Sequence, residues 1–256
     1  ILSGLVGSEM CIRDREILQL AEAVADRYAG TVRDVLRAAI PPRHARAEER
    51  AAGPVSAEGT PPAAAVPGDL DGVWERYRHG PAMLRRLREG SAPALRAAWS
   101  CAPTGNWPQE IAAAVRAVLA RPGGGIIVIV PDAWDVTRIR QAVEPLGSAC
   151  AVLTADLGPQ RRYQEFLRVL RGQARVVIGT RAAVFAPVPA CDAIIVWNDG
   201  DEALWDPSAP YWNARDVAAL RSHLTGCALL VGSPARSIAV QAWCEQGWAR
   251  SLDPLR

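Results

Sequence analysis

Three loops carry side chains that could bind phosphate or a metal ion, and each follows a predicted strand. The first, residues 101–110, joins a strand to a helix, where phosphate-binding loops lie. Such a loop uses glycines for backbone approach, a lysine for charge and a Ser or Thr for Mg²⁺. Thr104 and Gly105 fit this pattern, but Pro108 and Gln109 stand where the lysine and the hydroxyl are expected. The pattern favours a strand–helix turn with an early helical proline over a working nucleotide site.

The second loop follows the apolar strand that ends at Trp197, and it carries the acids Asp199, Asp201 and Glu202. NTPases keep the carboxylates that organise Mg²⁺ in such a position. Carboxylates are also common in α/β loops, and the lysine that catalysis needs is missing. Together the two loops therefore predict a degenerate nucleotide site, and we assign no catalytic residue.

The third loop begins at Gly179, Thr180 and Arg181, directly after another apolar strand. Glycine allows close approach, and hydroxyl and guanidinium groups donate hydrogen bonds, a combination that suits a phosphodiester. That Arg181 merely pairs with a nearby carboxylate fits the sequence equally well. The aromatic residues beyond the acids favour core anchoring, although single-stranded bases also stack on such side chains. The candidate DNA-binding residues are therefore Gly179, Thr180 and Arg181 of the third loop, and Trp205, Tyr211, Trp212 and Arg215 in the segment beyond the acids.

The composition limits the chemistry. All 29 basic residues are arginine, which excludes lysine chemistry such as Schiff-base catalysis. The 27 acidic residues leave a net charge of +2, which excludes a strongly basic nucleic-acid coat but allows a local patch. The six cysteines form no C-x-x-C pair and the three histidines are far apart, so we predict no metal site. Reduced thiols and the lack of a long apolar run predict a cytoplasmic protein without membrane contact.

The chain divides into four segments. Residues 1–15 look like translated adaptor sequence and are excluded from the fold. Residues 16–40 carry apolar side chains at helical spacing around Gly30, which predicts two helices. Residues 41–72 predict a disordered linker, because they are rich in Pro, Ala, Gly and Glu and bury too little apolar surface to offset chain entropy. Residues 73–256 form the main domain.

The main domain alternates helices and strands. Runs such as IIVIV and AIIVW are apolar throughout, which indicates strands buried on both faces of a parallel sheet. We therefore predict a doubly wound α/β domain of about 180 residues that binds ligands at the carboxyl ends of its strands. The predicted strands are 94–100, 126–130, 151–154, 175–178, 193–197 and 228–231. The predicted helices are 73–89, 108–120, 135–145, 160–171, 213–222 and one last helix.

The order of these pieces resembles the first helicase lobe of the PriA family (primosomal protein N′), bacterial replication-restart DNA helicases of superfamily 2. The resemblance lies in VVIGTRAAVFAPV at 176–188, YWNARDVAALRSH at 211–223 and VGSPARS at 231–237. VLTADLGPQRR at 152–162 fits the segment before the GTR motif. AGTVRDVLRAAIPPRHAR at 29–46 looks like the end of the family's amino-terminal DNA-binding domain.

The resemblance implies a RecA-like helicase lobe. It also implies forked or single-stranded DNA, primosome proteins and single-strand-binding proteins as partners, in the cytoplasm near the nucleoid. The family uses ATP, Mg²⁺ and zinc, but its zinc-binding cysteines would lie beyond this chain. Its Gly-Lys-Thr and Asp-Glu-x-His motifs are not matched here, so no cofactor is expected.

These departures resemble the actinobacterial branch, whose members are thought to have lost helicase function. The expected function is therefore that of a DNA-binding replication-restart protein without ATP-driven unwinding. One alternative is an active ATP-dependent 3′–5′ helicase in which an arginine such as Arg116 replaces the lysine. The other is a protein-interaction scaffold of the primosome.

Overall fold

The computed structural model describes residues 15–45, 47–48, 71–90, 94–146 and 150–255. Its strands are β1 (Arg96–Ser100), β2 (Gly125–Ile129), β3 (Cys150–Leu153), β4 (Val176–Gly179), β5 (Cys191–Trp197), β6 (Ala228–Ser233) and β7 (Arg250–Leu252). Its helices are α1 (Arg15–Arg27), α2 (Val32–Ala39), α3 (Gly80–Glu89), α4 (Trp107–Leu119), α5 (Ala133–Val143), α6 (Pro159–Leu170), α7 (Ala214–Thr225) and α8 (Ile238–Glu245).

The seven strands form one sheet in the order β3-β4-β2-β5-β6-β1-β7, and every neighbouring pair is parallel. β2 and β4 are buried at every position, as their continuous apolar sequences predict. The predicted parallel α/β sheet is thus confirmed.

Helices cover both faces of the sheet. One core holds side chains of α3, α4 and α5 against one face. The other core holds side chains of α1, α2, α6, α7 and α8, together with a 3₁₀ helix at Arg181–Phe185. The fold is therefore doubly wound, and the carboxyl ends of all strands lie along one edge.

A row of tryptophans fixes the centre of that edge on the α4 face. Trp74, Trp99 and Trp197 follow one another with ring centroids 5.0 and 5.2 Å apart, and Trp107 stacks on Trp197 at 4.4 Å. Gly232 makes room for Trp99, since a Cβ there would lie 2.2 Å from the indole Cε3. These rings lock β1 and β5 to the start of α4.

The predicted helix over 73–89 is wrong in its first half. A 3₁₀ helix occupies Gly72–Trp74, and α3 begins only at Gly80, after His79 has taken a left-handed φ of 67°. A Cβ at Gly80 would lie 2.1 Å from the Trp74 carbonyl oxygen. This close approach turns the chain sharply, and no helical spacing reports it. The sequence analysis also missed β7, which is only three residues long.

The two predicted amino-terminal helices are confirmed, and they pack directly on the sheet domain. Leu20, Val24 and Val35 are fully buried in the core on the α7 face. A division between these helices and the lobe stays a prediction, since they share that core.

Two other predicted segments fall largely outside the described residues. The adaptor-like segment does so up to residue 14, and most of the linker does as well. The start of that linker is described and makes contacts. Ala47 is buried against Tyr163 and Leu167, and the Tyr163 hydroxyl donates to Glu48 Oε1 at 2.6 Å.

Candidate functional site: the strand-end edge

The loop after β1 is closed around a buried carboxylate. Glu110, on the first turns of α4, is 0% exposed, and its Oε1 accepts a hydrogen bond from the Tyr77 hydroxyl at 2.9 Å. Its Oε2 lies 3.8 Å from Cys101 Sγ. A Cβ at Gly105 would lie 2.9 Å from Glu110 Oε1. The carboxylate therefore lies against the backbone that a phosphate would have to approach.

Several amides of this loop already have partners. The Cys101 N–H donates to the Ser233 carbonyl at 2.9 Å, and the Ala102 N–H donates to the Tyr77 hydroxyl at 3.0 Å. The Gly105 N–H donates to the Ala102 carbonyl at 2.7 Å. A phosphate loop needs such donors aimed at the ligand. Here they hold the loop to its own surroundings.

The segment before α3 holds this closed form. Trp74 Nε1 donates to the Glu110 carbonyl at 2.9 Å, and Arg76 Nη1 donates to the Thr104 carbonyl at 3.0 Å. Arg116, the arginine considered as a substitute for the lysine, pairs with Asp71 instead. It lies nine residues beyond Trp107, roughly 14 Å along the helix at 1.5 Å per residue.

The acids after β5 differ in their burial and in their partners. The carboxylate of Asp199 is 1% exposed and lies 3.9 Å from Arg215 Nη1. Asp201 caps the 3₁₀ helix Glu202–Leu204 by accepting from the Ala203 N–H at 2.9 Å. Glu202 itself is exposed. The three acids therefore do not present a joint carboxylate surface.

These two loops do not fit ATP with Mg²⁺. Pro108 is buried and Gln109 half-buried where charge and hydroxyl would be required, and Thr104 is exposed. The buried carboxylate of Glu110 would repel a triphosphate across a few ångströms of low-dielectric interior. The two loops therefore lack the groups that ATP hydrolysis would require at this place.

Glu110 is expected to make folding stability depend on pH. Burial is the main cause that raises the pKa of Glu110 above the ordinary 4.5. At pH values above 4.5 the folded state therefore binds more protons than the unfolded state. The free energy of unfolding should consequently fall as the pH rises from 4.5. Glu110→Gln keeps an acceptor for Tyr77 and should remove this decline, as urea unfolding over a pH series would measure. Glu144→Gln, at an exposed position, is the matched control, and an equal effect of both variants would contradict the assignment.

Gly179, the glycine of the GTR segment at 179–181, was expected to allow a ligand to approach the backbone, but it has a different role in the structure. A Cβ at Gly179 would lie 2.2 Å from the Leu153 carbonyl oxygen, so the close approach is to β3 rather than to a ligand. Arg181 Nε donates to Asp206 Oδ2 at 3.4 Å, and Nη1 contacts the Ala203 carbonyl at 3.5 Å. Of the two alternatives for Arg181, the carboxylate partner is present, yet about a third of the side chain stays exposed.

A cavity of about 180 Å³, which we call the strand-end recess, opens beside Arg181 at the ends of β3 and β4. α2, α6 and the loops after the two strands form its walls. Three guanidinium groups, one carboxylate and two hydroxyl-bearing side chains line it. These residues are Arg37, Arg162, Arg181, Asp206, Thr154 and Thr180. The recess is therefore positively charged on balance.

The other candidate DNA-binding residues are split between surface and core. Trp205 and Tyr211 are 47% and 60% exposed. Trp212 is 1% exposed and packs edge-on against Phe185, with the centroids 5.1 Å apart. Arg215 is 8% exposed, and its Nε donates to Asp216 Oδ1 at 2.8 Å. Trp212 and Arg215 thus lie where they cannot reach a ligand without leaving the core.

Sequence reasoning missed several residues at this edge. Trp134 and Ile238 are 80% and 91% exposed, although both start helices directly after strands. Their place after β2 and β6 was the available signal. Arg162 ends the segment 152–162, and nothing in its spacing distinguishes it from its neighbour Arg161.

No cluster of three or more His, Cys, Asp or Glu side chains in the described ranges could hold a metal ion. The described cysteines are free thiols, of which Cys227 is buried and the others are half-buried. None of the helices in these ranges is both long and apolar enough to span a bilayer.

Curated relatives share sequence with nearly the whole chain. The probable replication restart protein PriA of Mycobacterium tuberculosis is 43% identical over 239 residues, which cover 93% of this chain and 35% of that protein. The Mycobacterium leprae protein is 43% identical over 241 residues, and the replication restart protein PriA of Bacillus subtilis is 27% identical over 146. No protein-family model matches.

A solved structure shares the fold. S. cerevisiae Dbp5, in a complex with Nup159, Gle1, IP6 and ADP, superposes with a TM-score of 0.50 over 75% of this chain and 49% of its own, at 11% identity. This likeness concerns the fold alone. The sequence relatives share the name PriA across distant bacteria, and this chain spans about a third of the mycobacterial proteins. The chain is therefore similar, over nearly its whole length, to about a third of the PriA replication restart proteins of mycobacteria.

Proposed function

We propose that this chain is the DNA-docking lobe of a replication restart protein that does not hydrolyse ATP in this lobe. The proposal rests on the closed loop around Glu110 and on the basic recess beside Arg181, which both lie at the carboxyl ends of the strands. The lobe would hold forked or single-stranded DNA in the cytoplasm, together with primosome proteins.

The electrostatics support the absence of ATP turnover. Triphosphate binding would have to displace the Tyr77 hydroxyl from Glu110 and leave a buried carboxylate facing phosphate oxygens. Losing a hydrogen bond to a charged group costs about 1.5–3 kcal/mol. Opening the loop would also break the contacts of Trp74 and Arg76, which favours the closed form.

DNA docking rests on the strand-end recess and the exposed aromatic side chains near it. Phosphate contacts by arginine position a protein on DNA without reading its sequence. Trp205 and Tyr211 offer partly exposed rings on which bases can stack. Arg181 reaches both regions, since it lines the recess and contacts the loop of Trp205 through Ala203.

DNA titration and ATPase assays test this proposal. The chain should bind single-stranded DNA at low salt and show no DNA-stimulated ATP hydrolysis, either alone or within the full-length protein. Arg181→Ala should weaken DNA binding about tenfold, because a charged hydrogen bond contributes about 1.5–3 kcal/mol. The salt slope should fall by about one unit.

Two outcomes would contradict the proposal. ATP hydrolysis that DNA stimulates and that Glu110→Gln alters would show a working site in this lobe. An Arg181→Ala variant that melts earlier but binds DNA normally at low temperature would show that Arg181 only pairs with Asp206. Arg85→Ala, on α3, is the charge-matched control, because it removes an arginine outside the recess.

The exposed apolar residues favour a scaffold as the second candidate. Trp134 and Ile238 are 80% and 91% exposed at the same edge of the sheet. Contiguous apolar patches mark contact surfaces, whereas single exposed apolar side chains are common, so the two positions are tested separately and together. If the chain binds no DNA even at low salt, pull-down with primosome proteins using Trp134→Ser and Ile238→Ser is the deciding experiment.

A further inference from the structure

The guanidinium of Arg162 is half-buried and lacks a counter-charge. It lines the strand-end recess from α6, and within the described ranges no hydrogen bond or ion pair of its side chain is found. Arg181, which carries the same charge, lines the same recess. Burial, and after it the charge of Arg181, lowers the pKa of Arg162. Burying an unpaired charge next to a like charge is costly.

The single carboxylate of the recess does not neutralise this site. Asp206 is engaged with Arg181 and also accepts from the Ser208 N–H at 2.9 Å. Arg37, the third arginine, is 73% exposed and pairs with Asp34 at its own helix surface. Arg162 and Arg181 therefore leave an excess positive charge inside the cavity.

The other groups around the recess suit a tetrahedral anion. Thr154 and Thr180 each bring a hydroxyl to the cavity from the ends of two hydrogen-bonded strands. Guanidinium groups bind phosphate oxygens through paired N–H donors, and hydroxyls supply further donors.

We infer that the strand-end recess is a phosphoryl-binding pocket in which Arg162 is the principal ligand and Arg181 the second. α2 forms one of its walls, so the pocket exists only because the amino-terminal helical pair packs on the lobe. The phosphoryl group is either a phosphodiester of a DNA strand or a terminal 5′ phosphate. The inference rests on the proposed DNA docking and specifies the place where the backbone is held.

Binding of three probes to the full chain and its variants tests the pocket. The probes are inorganic phosphate, an oligothymidylate with a 5′ phosphate and the same oligothymidylate without it. Arg162→Ala should weaken oligonucleotide binding about tenfold relative to Arg161→Ala, the neighbouring exposed arginine that does not line the recess. Arg162→Lys should recover only part of the affinity, because it loses the planar set of donors.

The two sources of the phosphoryl group give different results. An equal loss with both oligothymidylates identifies an internal phosphodiester, whereas a loss confined to the phosphorylated one identifies a strand end. Inorganic phosphate should shift the Nε–H resonance of Arg162 in the unsubstituted chain, a readout that needs no variant to fold. Arg162→Ala is expected to melt no earlier than Arg161→Ala, because it relieves repulsion with Arg181.

The pocket is overturned if Arg162→Ala and Arg161→Ala behave alike with all three probes and the Arg162 resonance ignores phosphate. DNA binding that survives this result would leave the proposed function standing. Conversely, phosphate binding at Arg162 by a chain that does not bind DNA would support the pocket and contradict the proposed function.

Discussion

Arg221→Ala is expected to lower the free energy of unfolding by about 1.5–3 kcal/mol, the range for hydrogen bonds to a charged group, because the partner Glu16 is 31% exposed. The Arg221 side chain is 1% exposed on α7, and its Nε donates to Glu16 Oε1 at 2.8 Å. Its Nη1 donates to the carbonyls of Val184 and Ala186 at 2.7 and 3.0 Å. Alanine would leave the Val184 carbonyl without its hydrogen-bond donor, whereas the Ala186 carbonyl keeps that of the Val188 N–H, and it would remove the ion pair between α7 and Glu16 on α1. Urea unfolding monitored by tryptophan fluorescence measures the loss.

Arg37→Ala provides the control for this prediction. Arg37 also forms a salt bridge on the amino-terminal helical pair, but it is 73% exposed, so its loss should cost about 0–1 kcal/mol. Equal losses in the two variants would show that Arg221 does not fasten the helical pair. If it does, Arg221→Ala should also weaken phosphate binding below its melting temperature, because α2 forms a wall of the strand-end recess.

The sheet could be predicted because its strands are buried on both faces. A strand such as β2 carries its signal in five consecutive residues, so no distant partner is needed to recognise it. β7 has only three residues, and its burial comes from pairing with β1. The break before α3 depends on Gly80 meeting the Trp74 carbonyl. Neither the pairing with β1 nor this close backbone approach leaves a signal in the local periodicity.

The candidate site could be predicted in its place but not in its chemistry. The strand-end edge followed from the parallel sheet, and the missing lysine indicated a degenerate loop. Glu110 and Tyr77, which close that loop, are 33 residues apart in sequence and meet only in the fold. Arg215 and Arg162 are the same residue type, yet packing buries one among carboxylates and leaves the other facing a like charge.

Gly179→Ala is expected to destabilise the chain by about 3 kcal/mol, at the upper end of the range for overpacking. The added Cβ would lie 2.2 Å from the Leu153 carbonyl oxygen and 2.7 Å from the Ala183 Cβ. Neither atom is the end of a flexible side chain, so β3 and the 3₁₀ helix after β4 would have to move. Thermal melting and urea unfolding both measure this effect.

Gly200→Ala is the matched control, since the nearest atom to its added Cβ, Ser237 Cβ, lies at an ordinary 3.9 Å. It should change stability by less than about 0.5 kcal/mol, as surface substitutions usually do. Gly179→Ala should also weaken phosphate and DNA binding below its melting temperature, because the displaced backbone carries Thr180 and Arg181. Normal stability with weakened binding would instead assign Gly179 the ligand contact that its sequence context suggests. Lost stability with weakened binding is the result expected when a glycine positions the recess by letting two strands meet.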